Sequence, residues 1–134
     1  MIFIGLAFYC VIKHLLKKKR KIIVLFFKIR IAHMACEALG IDYKYVLCDL
    51  QEGDNFKPEY LKINPQHTVP TLNDNGFIVT ESRPIATYLS EKYGKDDKLY
   101  PKDLGVRSTV DARLYFDIGT FYKAFGDCVV SKTY

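Results

Sequence analysis

Two short strings carry the side chains best suited to chemistry. One is Glu81-Ser82-Arg83, a carboxylate, a hydroxyl and a guanidinium in a row. Ser82 reads as a helix N-cap, and Pro84 is acceptable in the first turn. A helix N-terminus with a cation beside it suits a bound carboxylate, although Ser82 can equally be a cap alone. The other string is Asn64-Pro65-Gln66-His67-Thr68-Val69-Pro70-Thr71-Leu72. Taken alone, His67 is a structural histidine and Val69-Pro70 an ordinary trans bond at a strand start. Cys10, Cys36, Cys48 and Cys128 form no CxxC pair, which argues against a zinc knuckle or a dithiol redox pair. Scattered thiols in a chain with enough apolar residues for a core suit a reducing compartment, without a disulfide framework. From Val11 to Ala35 there is no Ser, Thr, Tyr or Cys, so that stretch offers no hydroxyl or thiol donor.

These strings need elements to position them. Ile31, Met34, Ala35, Ala38 and Leu39 follow helical spacing, and Gly40 is placed to end that helix. Ile41 to Leu50 alternates in part and reads as a strand. Glu52 to Leu61 reads as loop and short helix, with Lys57-Pro58-Glu59 near the helix start. Thr68–Leu72 and Phe77–Thr80 are expected strands around the turn Asn73-Asp74-Asn75-Gly76. A helix from Ser82 stops near Gly94, a polar linker spans 95–103, and a second helical region begins at Val106. Its apolar stripe is Val110, Leu114, Ile118 and Phe121. This order predicts an α/β, thioredoxin-like N-terminal domain at 22–95, followed by the first part of a truncated all-α domain at 103–134. The missing first strand is assigned to the apolar run Ile22–Phe27.

Charge is uneven along the chain. Residues 1–30 hold 8 Lys+Arg and no acid, while the remaining 104 hold 12 Lys+Arg and 15 Asp+Glu, so the net +5 is +8 from the head and −3 from the body. The body alone is mildly acidic, and no nucleic-acid partner is expected. Residues 1–21 form an atypical apolar and basic head, expected to lie outside the native sequence of the domain. Its uncharged run, residues 1–12, is shorter than the ~20 apolar residues of a spanning helix.

With Asn75-Gly76-Phe77 and the run Tyr93-Gly94-Lys95-Asp96-Asp97-Lys98-Leu99-Tyr100-Pro101, the two opening strings closely resemble the insect delta/epsilon glutathione S-transferases. The match runs from about Arg30 to Phe125, roughly three quarters of the chain. The resemblance implies a cis bond at Val69-Pro70 that turns the Val69 backbone toward the cysteinyl unit of glutathione. It implies that Ser82, Glu81 and Arg83 hold the γ-glutamyl end, and that Gln66 and His67 face the glycyl end. Asn55 stands where many relatives carry His. Tyr115, Phe121 and Tyr122 are the implied electrophile-pocket aromatics.

The family reaction adds the glutathione thiolate to a hydrophobic electrophile, in detoxification. Glutathione is a co-substrate, with no cofactor or metal. The implied protein is cytoplasmic and, in the family, a homodimer. In the family a serine in a Ser-x-Pro-Cys-Arg string holds the thiolate. Here only Arg30 of that string is present, so no catalytic residue is assigned and activity is expected to be impaired. The alternatives are a non-enzymatic glutathione-binding or interaction module, and a membrane-tethered variant using residues 1–16.

Overall fold

The computed structural model describes residues 6–10 and 22–131. The chain divides after Gly94 into two compact units.

The first unit is built on a four-stranded sheet with strand order β2-β1-β3-β4. β1 (Leu6–Cys10) runs parallel to β2 (Lys44–Leu47) and antiparallel to β3 (Thr71–Asp74), which pairs antiparallel with β4 (Phe77–Thr80). A parallel pair needs a long crossover, and α1 (Ile22–Leu39) lies within it. The resulting β-α-β then β-β-α order is thioredoxin-like.

The strand expected at Ile22–Phe27 is therefore corrected: those residues are the first turns of α1, and Leu6–Cys10 in the head supplies β1. A continuous apolar run has no period that separates a buried strand from a buried helix. Here no Gly or Pro divides the run from the helical pattern after it, so the helix extends back to Ile22.

α1 ends as expected. Gly40 takes φ 62°, its N–H reaches the Glu37 carbonyl, and the Ile41 N–H reaches that of Cys36. This pair of bonds is a Schellman motif. Of the expected stripe, Ala35 and Leu39 pack against the core, and the buried face is centred part of a turn away. Ile29, Ala32 and Cys36 are buried, whereas Met34 is 60% exposed. The core joins Ala32 and Cys36 to Leu72 of β3 and to Ile85 and Leu89 of α3 (Ser82–Tyr93). Burial, and then the neighbouring Glu37 charge, push the Cys36 thiol up to about 12, so it is an inert packing group.

Asn75 and Gly76, at φ 53° and 95°, make the two-residue turn between β3 and β4. At the turn end of β3, the buried Asp74 carboxylate accepts from Tyr88 Oη (2.7 Å), Lys92 Nζ (2.6 Å) and Tyr93 Oη (2.8 Å) of α3. Burial pushes this carboxyl up. The hydrogen bonds from Lys92, Tyr88 and Tyr93, with the Lys92 charge, outweigh burial and hold it below the usual carboxylate range.

The second unit is helical: α4 (Leu104–Phe116), a wider π segment (Asp117–Phe121) and α5 (Tyr122–Ser131). Asp103 caps α4 by accepting from the Val106 N–H at 2.9 Å. The segment before α4 is tied to it by Tyr100 Oη donating to Asp111 (2.9 Å) and Arg107 Nε donating to the Pro101 carbonyl (2.7 Å). Neither α4 nor the π segment has a buried residue. Among the described residues, no helix is long and apolar enough to cross a membrane. The segment 1–16 of the tethered alternative is described only at Leu6–Cys10, which is strand.

Candidate functional site

The two strings meet because of strand register. Thr71 pairs with Thr80 across the hairpin, so Pro70 and Glu81 lie just beyond the end of that ladder. Tyr9 pairs with Thr71 on the other side, so β1 also ends here. Residues 11–21, which follow β1, lie outside the described residues.

Val69-Pro70 is cis. Val69 is half-buried, Pro70 is buried, and nothing among the described residues pairs with the Val69 N–H or C=O. Gln66 and His67 are exposed. The His67 ring stacks on Phe56 with centroids 4.7 Å apart, and its φ is 48°. Asn55 is buried: its Nδ2 donates to the His67 carbonyl at 2.9 Å, and its Oδ1 has no partner among the described residues. It lies in a 3₁₀ turn, Asp54–Phe56, just ahead of α2 (Pro58–Leu61).

The helix start differs from expectation in one detail. Glu81, not Ser82, is the N-cap position, with φ 67° and ψ 129° and no side-chain cap bond. Ser82 is thus the first helical residue, where the N–H has no intrahelical partner. Pro84 in the same turn has no N–H at all. Ser82 and Arg83 are both buried, and Arg83 Nη1 donates to Ser82 Oγ at 2.9 Å. Because Ser82 Oγ accepts that bond, its own hydrogen is available to an acceptor. Glu81 is exposed.

Among the described residues, three non-glycine residues have positive φ: His67, Asn75 and Glu81. Asn75 sits in the hairpin turn, where that conformation is ordinary. His67 and Glu81 have no such excuse and stand at the two strings, and backbone strain of this kind costs ~1–3 kcal/mol and clusters at functional sites.

Tyr115, Phe121 and Tyr122 belong to the second unit. Tyr115 and Phe121 are exposed and Tyr122 is half-buried. Among the described residues no group of three His, Cys, Asp or Glu could hold a metal. A separate cavity of about 240 Å³ lies between β2 and α2, lined by Leu47, Cys48, Asp54, Lys57, Glu59 and Tyr60.

Residues 29–97 match the glutathione S-transferase N-terminal domain. The fold matches a delta-class glutathione transferase of Nilaparvata lugens at 46% identity and TM-score 0.78, over 92% of this chain and 52% of that one. It matches an epsilon-class glutathione S-transferase of the housefly, Musca domestica, at 37% identity and TM-score 0.75, over 89% of this chain and 49% of that one. A glutathione transferase homolog from Drosophila mojavensis, solved with bound glutathione, matches at 37% identity and TM-score 0.72, over 87% and 48%. The chain belongs to the glutathione S-transferase family, and spans about half the length of these solved relatives.

Proposed function

We propose that this chain binds glutathione through Gln66, His67, Val69, Pro70, Glu81, Ser82 and Arg83. The observation that carries the reading is the Val69 backbone, which nothing among the described residues pairs, just beyond the end of the hairpin that leads into α3. The cysteinyl unit pairs with that backbone as an extra strand would. The γ-glutamyl carboxylate takes the Ser82 N–H and hydroxyl, with Arg83 adding charge, and Glu81 takes the α-amino group. Gln66 and His67 receive the glycyl end. A relative solved with bound glutathione supports the ligand class.

The proposed reaction is addition of the glutathione sulfur to a hydrophobic electrophile, as in cytoplasmic detoxification, with Tyr115, Phe121 and Tyr122 as its apolar contacts and a homodimer as the assembly. The thiol must lose its proton, and a nearby hydrogen-bond donor favours the thiolate. The family serine has no counterpart before Arg30. Turnover is therefore slow, and glutathione binding without turnover is the second reading.

Retention on immobilised glutathione, paired with a conjugation assay on a generic electrophile, tests both. Retention with turnover supports the transferase, and retention alone supports the binding module. A chain that passes through the column overturns the glutathione site.

A further inference from the structure

We infer that a buried hydroxyl and amide cluster, Tyr60, Asn64 and Thr71, positions the segment Gln66–Pro70 for its ligand; this rests on the glutathione reading above. None of the three belongs to the proposed contact set, and all are buried. Asn64 Nδ2 donates to the Thr68 carbonyl and to Thr71 Oγ1, each at 2.9 Å, and its Oδ1 accepts from the Gln66 N–H at 3.0 Å. Its own carbonyl accepts from the His67 N–H at 2.9 Å. Tyr60 Oη bonds the Thr68 carbonyl and lies 2.9 Å from Thr71 Oγ1. Thr71 Oγ1 in turn lies 3.2 Å from the Thr68 carbonyl.

The protons can be assigned without leaving a group unmet. Tyr60 donates to the Thr68 carbonyl, Thr71 donates to Tyr60 Oη, and the two Asn64 amide hydrogens go to Thr68 O and Thr71 Oγ1. Everything polar in the loop backbone from Gln66 to Thr68 that is bonded here points inward. Val69 is the next residue, and nothing among the described residues pairs its backbone. Tyr60 comes from α2 and Thr71 from β3, so the cluster locks the loop to two rigid elements. Buried networks of this kind rigidify only when fully satisfied.

The test compares Thr71→Val, which keeps the shape and removes the hydroxyl, with Thr71→Ser, which keeps the hydroxyl. Tyr60→Phe serves as the second variant should Thr71→Val not fold. Amide hydrogen exchange at Gln66 and His67 is expected to rise about tenfold in Thr71→Val and Tyr60→Phe, with Leu89 in α3 unchanged. Glutathione Kd is expected to rise about tenfold in both, and to return to within about threefold of the parent in Thr71→Ser. Exchange that is unchanged, or raised equally throughout the domain, overturns the inference, because a merely structural role predicts one of those two patterns. Failure of the parent chain to bind glutathione sinks the ligand reading instead, and the exchange pattern still decides the positioning role.

Discussion

α3 and α4 are helices of similar length with opposite fates. α3 spans 12 residues and buries Ser82, Arg83, Ile85 and Leu89. α4 spans 13 and buries nothing, and Leu104 and Tyr115 are 78% and 74% exposed. Both sequences contain regularly spaced apolar residues. What differs is the company: α3 packs on α1 and on the β3–β4 hairpin, while α4 is in contact with the π segment that continues it. An apolar stripe is a demand for a partner, and tertiary packing decides whether it is met.

That contrast is open to direct attack. Leu89→Ala should cost about 2–5 kcal/mol in urea unfolding of the first unit, whereas Phe121→Ala should cost less than about 0.5 kcal/mol. Equal losses would mean that the second unit has a core after all. Lys28→Pro should cost about 3 kcal/mol, because it falls seven residues into α1. A near-neutral result would return residues 22–28 to a non-helical state and reopen the strand assignment.

Asp74→Asn should destabilise by about 1–3 kcal/mol at neutral pH by weakening the bonds from Tyr88, Lys92 and Tyr93. The sign with pH follows from the lowered carboxyl. A group held below its unfolded value contributes fully above the ordinary carboxylate range of about 3.9 and loses that contribution as pH falls through its folded value. The gap between parent and variant should narrow on acidification, measured by urea midpoints from pH 7 down to pH 3. A constant gap would assign Asp74 a packing role only. Ser82→Ala should weaken glutathione binding by about 1–3 kcal/mol by calorimetry. Unchanged affinity would leave Ser82 as filler at the helix start.

Much of the first unit is legible in the residues themselves. Gly40 announces the end of α1, Asn75-Gly76 the hairpin and Lys57-Pro58 the start of α2, because each reflects a local backbone preference. β1 was not legible, because an apolar run offers no period to read. The move of the N-cap from Ser82 to Glu81 was not legible either, since nothing about a glutamate signals φ 67°. At the site, the two strings were visible, but the hydrogen-bonded cluster of Tyr60, Asn64 and Thr71 beneath the first-domain loop 66–68 was missed. Tyr60 and Asn64 lie four apart, a spacing that marks side chains able to meet across one helical turn. That signal was present and is confirmed only by their shared bonds to Thr68 and Thr71.

The hairpin is also a ruler. Ten residues, Thr71 to Thr80, set the spacing between the cis Val69-Pro70 bond and the first turn of α3. Gaining or losing one residue within either strand would move one side of the site by a rung, about 3.4 Å, and exchange the two faces of that strand. A substitution at an exposed hairpin position such as Phe77 can be absorbed. A change in its length cannot, although none of those ten side chains belongs to the proposed ligand contacts.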